Sequence, residues 1–324
     1  MIIGMKTLFI LLFILFSSTA HTATAQINGQ LPLVPDLQLE AEPPFPRPGD
    51  GVTITVNDSR GGTYGSNITW LYNGEVFEGT ENQRSIEITA GALNEEIEID
   101  AILSKPSRES ETLSLTVKSI YLDIVVEAQT RVPDFYMGRA LPSIGSMINA
   151  TALVNDGSNR TDLVYTWRLD RTVIEGGPIR RRNQVTFVAP RGGESILSVV
   201  VTEPDGTILA ERLIPLPSVL PNISFHEVST LFGVKKNPIG DELILVGNTA
   251  TVQAEPYNLD IRVYNNPDIA QWEINNSLSQ NQGGNPYQIT FQTTGFEGPA
   301  NLSFQVRDTT RVLQGARDTI QVRF

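Results

Sequence analysis

Val164-Tyr-Thr-Trp-Arg-Leu169 is the stretch on which the reading of this chain turns. It is a short run of β-forming residues with a tryptophan inside it. Two similar runs flank it, Asn67-Ile-Thr-Trp-Leu-Tyr72 and Ile269-Ala-Gln-Trp-Glu-Ile274. Trp70, Trp167 and Trp272 are the only tryptophans in the chain, and they lie 97 and 105 residues apart. A repeat of that length is a whole domain rather than one coil of a solenoid. The spacing therefore predicts three tandem β-sandwiches, each with one core tryptophan between its sheets.

The surroundings of each tryptophan follow the same order. A turn glycine precedes it by 21, 22 and 25 residues, at Gly49, Gly145 and Gly247. A further β-rich run follows at a similar remove, at 85–89, 185–188 and 287–291, and each unit closes with a final pair of strands. Asn73-Gly74 directly after the first tryptophan run is a hairpin signal, because both residues accept positive φ. Outside the N-terminal leader no segment has a helical period of 3.6. About seven short strands per unit, with turn signals every ~8–12 residues, is an immunoglobulin-like pattern without its disulfide. The expected fold is all-β: a signal peptide at 1–25, a linker at 26–36, and Ig-like domains at 37–118, 119–217 and 218–324. A proline-punctuated stretch at 218–222 reads as a stiff linker. Proteolysis is expected near residues 118 and 218.

Several segments carry a resemblance to a known group. They are Asn73-Gly74, Thr89-Ala-Gly-Ala-Leu93, Phe135-Tyr136-x-Gly138-x-Ala140-Leu141-Pro142, Leu163-Val-Tyr-Thr-Trp-Arg168, Gln253-Ala-Glu-Pro-Tyr257 and Val312-Leu-Gln314. Together they resemble an exported three-domain protein family of candidate-phyla (Patescibacteria-type) bacteria with Ig-like or PKD-like domains. The resemblance spans nearly the whole chain after the leader. It implies fold and export, and it carries no activity over. The single units also look like PKD and bacterial Ig-like modules.

The leader has a basic residue, Lys6, a nine-residue apolar run at 8–16, and Ala23-Thr24-Ala25 as a small-x-small cleavage site. Cleavage would leave Gln26 first. The apolar run is shorter than the ~18–20 residues a membrane span needs, so an uncleaved membrane tether is the minor alternative. The expected location is extracellular, at the cell surface or periplasmic. With 24 basic and 36 acidic residues the chain carries a net charge of −12, which repels phosphate backbones and argues against nucleic acid as a partner. The run Arg180-Arg181-Arg182 reads as a solvated hairpin end. There are no cysteines, so disulfides, thiolate metal sites and thiol nucleophiles are all excluded.

Little in the sequence points to catalysis, and no cofactor is expected. His226 is the one histidine after the leader; it sits in a strand and reads as an ordinary surface residue. A Ser-His-Asp triad or a His-ligated zinc site needs more than that. Asp156, Asn159 and Asp162 are weak calcium candidates, but turns call for the same residue types. Glu95-Glu96 is no glycosidase pair, because neighbouring strand residues face opposite ways. Phe324 reads as the end of the last strand. The loop aromatics Phe45, Phe135, Tyr136 and Phe232 are the candidate binding residues, since each lies in the irregular segment after the first strand of its unit and loops at sandwich ends carry function. The sequence reading is a non-enzymatic, elongated array acting as adhesin, spacer or assembly partner, with a protein or surface glycan as partner. A pilus- or secretion-associated accessory factor is one alternative, and a cell-wall hydrolase is the alternative from another class.

Overall fold

Alternation of apolar and polar residues builds nearly every element of the computed structural model, which describes residues 36–323 except 60, 107, 159, 280–283, 293–297 and 312. The leader, the linker up to residue 35, Asn159 and Phe324 lie outside the described residues. In the first sandwich the strands are β1 (Leu37–Glu42), β2 (Gly51–Asp58), β3 (Asn67–Tyr72), β4 (Glu75–Val76), β5 (Ser85–Thr89), β6 (Glu96–Lys105) and β7 (Arg108–Lys118). They form two sheets, ordered β1-β2-β5 and β4-β3-β6-β7. On β6 the residues Ile97, Ile99, Ala101 and Leu103 are buried while Glu96 and Glu98 face water, the two-residue period of a half-buried strand.

The second sandwich contains β8 (Tyr121–Ala128), β9 (Thr130–Arg131), β10 (Met147–Asn155), β11 (Val164–Leu169), β12 (Thr172–Val173), β13 (Ile179–Arg180), β14 (Gln184–Val188), β15 (Glu194–Thr202) and β16 (Ile208–Pro217). Its sheets run β14-β10-β8 and β12-β11-β15-β16, with β13 also on β11. The third contains β17 (Asn222–Ser229), β18 (Gly233–Val234), β19 (Glu242–Ile244), β20 (Thr249–Tyr257), β21 (Leu259–Asp260), the short helix α1 (Ile261–Asn265), β22 (Ile269–Ile274), β23 (Ser277–Ser279), β24 (Gln288–Gln292), β25 (Pro299–Arg307) and β26 (Gly315–Arg323). Its sheets run β18-β17-β20-β24 and β19-β26-β25-β22-β23. β19 joins β26 in parallel; the other pairings are antiparallel. One more sheet, β21 with β9, consists of a strand from each of two neighbouring sandwiches.

Each sandwich has its own apolar core, and each core holds one tryptophan at 1–3% exposure. A buried indole must also satisfy its N–H. All three do so alike: Nε1 donates to a carbonyl on the chain leading into the next core strand, Trp70 to Gln83 (2.9 Å), Trp167 to Arg182 (3.3 Å) and Trp272 to Pro286 (3.0 Å). A second repeated device sits three residues after each tryptophan. Asn73, Asp170 and Asn275 have φ of 51°, 53° and 49°. Each donates its backbone N–H to the facing strand, and its side-chain oxygen accepts a backbone N–H from that strand, at Glu98, Ile196 and Asn301. Short side chains that hydrogen-bond locally tolerate the left-handed region best. The turn glycines fit the same scheme. Gly49 and Gly145, with φ of 83° and 86°, donate to the carbonyls of Ala90 and Ala189.

The short joins between sandwiches are not open linkers. Ser119 and Ile120 are buried. Asn94 N donates to Ser119 O, and Ile120 N donates to Pro46 O. Val219 N donates to Pro142 O, and Ile144 N donates back to Val219 O. Residues 37–324 thus form one compact unit. The positions near 118 and 218, where the sequence leads to an expectation of proteolysis, fall at these joins.

Trp167→Ala removes both the indole volume and the bond to Arg182, and should destabilise the second sandwich by about 3–5 kcal/mol. Urea denaturation of the variant reads this directly. An unchanged midpoint would contradict the role given to the indole.

Candidate functional site

The irregular segment after the first strand of a sandwich leaves that sheet at its downstream end, where the next sandwich begins. In the first sandwich this segment holds Phe45 and Arg47. Phe45 packs against the core of the second sandwich. Arg47 Nη2 donates to Leu122 O (2.9 Å) and pairs with Asp123 (3.1 Å), while its guanidinium lies 5.1 Å from the Tyr121 ring centroid. On the same joint Gly157 lies against Asn94 and Leu93, close enough that a Cβ there would touch the Asn94 side chain.

The second joint is built on the same plan with more polar groups. Arg131 stands over Tyr264, 5.2 Å from the ring centroid. Phe135 packs on His226 with centroids 5.1 Å apart, and Tyr136 meets Tyr257 edge-on at 5.4 Å. At the centre lie Asp260 and Gln314, both fully buried. Gln314 Oε1 accepts from Asp260 N (2.9 Å), and its Nε2 donates to Ser143 Oγ (2.9 Å) and Ile144 O (2.7 Å). Asp260 accepts from Met147 N (3.3 Å) across the joint and from Arg262 N, Nε and Nη2 on its own side. Asn258 Oδ1 accepts from Leu141 N, and Asn258 N donates to Arg131 O. Buried polar groups are tolerated when each finds a partner, and these do so only in one register of the two sandwiches.

The structure therefore gives the nominated loop aromatics different uses. Phe45 and Phe135 are half-buried in joints, and Tyr136 is partly covered there. Phe232 is the most exposed of the four, at 87% against 43% for Tyr136, and sits next to Leu231 at 84%. His226 departs from its sequence reading. It is fully buried, because the segment of the second sandwich that carries Phe135 covers the outer face of β17. Its Nδ1 donates to Lys235 O (2.8 Å), and no partner is present for Nε2 among the described residues.

The calcium candidates are held by turn and ion-pair contacts. Asp156 accepts from the N–H and hydroxyl of Ser158 and stands 3.8 Å from Arg160; Asp162 pairs with Arg180. No group of three or more His, Asp or Glu side chains that could hold a metal is found among the described residues. Of the arginine run, Arg180 pairs with Asp162 and Arg182 with Glu175. A 590 Å³ cleft opens beside the second joint, lined by Arg191, Arg262 and Arg311; Asp260 and Asp308 hold the last two. Among the described residues no helix is long and apolar enough to cross a membrane.

Sequence reasoning missed Asp260, Gln314 and Glu255, whose roles depend on contacts between distant segments. Glu255 is buried on the covered face of β20. Burial pushes its carboxyl above the usual range, against the pull of the Gln253 amide, Arg131 and His226. Asp260 is also pushed up by burial, but its hydrogen bonds to Arg262 and Met147 outweigh this and hold it below the usual range.

The two carboxyls should drive stability in opposite directions with pH. Glu255, with a raised folded pKa, contributes stability that is complete below its unfolded value of 4.5 and lost as pH rises through the folded one. Asp260, with a lowered folded pKa, contributes stability present above 3.8 and lost as pH falls through the folded one. Glu255→Gln should therefore raise the melting temperature at pH 7 with a gain that shrinks on acidification. Asp260→Asn should lower it at pH 7. Thermal melts between pH 3 and 8 decide this, and a destabilising Glu255→Gln at pH 7 would contradict the assignment.

No protein-family model matches the chain, and no curated protein matches it. Among solved structures it is similar to the fibronectin(III)-like modules of Clostridium thermocellum CbhA, at 11% identity and a TM-score of 0.26, covering 56% of this chain and 94% of that one. It is also similar to three N-terminal domains of the highly immunogenic outer capsid protein (Hoc) of bacteriophage RB49, at 11% identity and a TM-score of 0.24, covering 89% and 97%. A third is SGBP-B of the Bacteroides ovatus mixed-linkage glucan utilization locus, solved with a mixed-linkage heptasaccharide, at 12% identity and a TM-score of 0.22, covering 86% and 64%. At these values the similarities bear on neither ligand nor activity.

Proposed function

We propose that this chain is a non-enzymatic exported protein that acts outside the cytoplasm as a stiff spacer, holding a partner-binding end at a fixed distance from its attachment. The observation that carries the reading is the construction of the joints. The loops that would be free to bind in an isolated sandwich are turned into the neighbouring sandwich. Buried polar bonds that cross the joint, such as Gln314 Nε2 to Ser143 Oγ and Met147 N–H to Asp260, fix the register. A flexible tether needs neither. The buried carboxylates Asp260 and Glu255 lie inside a joint rather than in a substrate cleft, which favours the spacer over a hydrolase. The leader at 1–25 supports export, and the most exposed of the loop aromatics, Phe232, supports a partner surface on the third sandwich.

Small-angle scattering tests the spacer. The exported chain should scatter as one rigid arrangement, and an Arg47→Ala/Gln314→Ala variant with intact sandwich cores should scatter as loosely connected bodies. Truncating Gln314 removes the partner of two buried polar groups, Asp260 N–H and Ser143 Oγ, each loss worth about 1–3 kcal/mol. If the unaltered chain already requires freely reorienting sandwiches, the reading fails. Fractionation tests export: the chain should leave the cytoplasm with Gln26 at its N-terminus, and it should remain inside when the apolar run at 8–16 is interrupted by charge.

A further inference from the structure

Two neighbouring side chains inside the second joint each bury a polar atom that no other group satisfies. β17 and β20 pair with Ser224 opposite Glu255 and His226 opposite Gln253. Phe225 and Ala254 point into the core of the third sandwich, so His226 and Glu255 stand on the other face of the sheet, diagonal to one another. Diagonal neighbours on adjacent strands are within reach of long side chains. Their exposures are 0% and 4%. The segment after β9 covers this face, with Phe135 on the His226 ring and Tyr136 against Tyr257.

Hydrogen bonds fix which atoms can still take a proton. Lys235 O only accepts, so Nδ1 of His226 carries a hydrogen and Nε2 is the remaining basic site of the ring. Oε1 of Glu255 accepts from Gln253 Nε2, which leaves Oε2. Both Nε2 and Oε2 are buried without a partner among the described residues. The charges around them are already matched: Arg131 pairs with Asp134, Glu227 with Lys235, and Asp260 with Arg262. The phenols of Tyr136 and Tyr257 are the other titratable groups there. The pair must therefore balance its own charge. With one proton, on either Nε2 or Oε2, it is neutral overall. With none it is a buried carboxylate, and with two a buried imidazolium, each costly away from water. Burial indeed pushes the Glu255 carboxyl above the usual range.

We infer that His226 and Glu255 hold one proton between them and act as a pH-sensitive latch on the second joint, tightest with that one proton bound and loosened when it is lost or a second is added. The latch deepens the spacer reading and rests on the same joint: it makes the stiffness of the spacer depend on pH. An opened joint exposes both groups to water, where they titrate at their ordinary values, 4.5 for the carboxyl and about 6.5 for an imidazole. Between these the open form also carries one proton, and pH does not move the equilibrium. At higher pH the open form has lost the proton that the closed form keeps, so closure weakens as pH rises. At lower pH the open form takes up a second proton, so closure weakens as pH falls.

Hydrogen exchange of the Asn258 and Ile261 amides, which donate across the joint to Arg131 O and Gln129 O, reads closure. Protection factors, measured on the exported chain between about pH 4 and 8, divide out the intrinsic pH dependence of exchange; Asp260 adds its own loss only below 3.8. Protection should be level from 4.5 to about 6.5 and fall by up to about tenfold per pH unit above that. Glu255→Gln leaves the imidazole alone, so protection should be level above about pH 6.5 and fall below it, reversing the native trend. His226→Asn keeps a donor for Lys235 O but has no Nε2, and protection should fall already from 4.5 upward. Circular dichroism verifies that both variants fold. A native profile level up to pH 8, or variant profiles that parallel the native one, overturns the latch and leaves the spacer reading intact. Amides unprotected at every pH would remove the joint itself, and with it both readings.

Discussion

Burying an indole between two sheets while satisfying its N–H is the constraint on which each sandwich depends. The tryptophan supplies a large apolar volume, but an unpaired indole N–H in a core is costly. Each unit meets this by bringing a carbonyl 13–15 residues downstream over the ring. That carbonyl lies on the stretch leading into β5, β14 or β24, which pairs with the opposite sheet. One hydrogen bond therefore links the two layers of the sandwich. The Asx residue three positions later then turns the chain and pins it to the facing strand, setting register locally.

The joints solve a different problem. A sandwich is open at both ends, and the apolar contacts there are not directional. Phe45 and Phe135 close the ends but leave rotation about the long direction undetermined. The polar groups remove that freedom. Gln314 uses its oxygen and nitrogen on two sandwiches at once, and β21 pairs with β9 through backbone bonds. Arginine over tyrosine recurs at both joints because a guanidinium can stack while also donating elsewhere. Arg47 does this with Leu122 O. The joint between the second and third sandwiches is the more polar and holds two carboxyls displaced in opposite directions by their surroundings.

The fold was legible because its determinants are local. Trp70, Trp167 and Trp272 mark the cores, Gly49 and Gly145 mark the turn before them, and Asn73-Gly74 forms the expected two-residue hairpin loop with φ of 51° and 83°. Asn275-Asn276 makes a similar turn that a glycine-based rule passes over. The joints were not legible. Ser143 and Gln314 are 171 residues apart, and no periodicity or spacing signals such a pair. A loop aromatic reads the same whether it faces solvent, as Phe232 does, or a neighbour, as Phe135 does. His226 looked like a surface residue because the strand alternation is right: it does face away from its own core. What covers that face belongs to another sandwich.

Native-state hydrogen exchange at the joint amides tests most directly whether the three sandwiches are locked together. The informative amides are Asn94 and Val219 at the short joins, and Met147, Asn258 and Ile261 at the second joint. If the joints are built as described, these amides exchange only through large openings that also expose strand residues of β10 and β20, and low denaturant does not release them separately. Rapid exchange at the joints, with the strand amides still protected, would show sandwiches moving independently and would contradict the account.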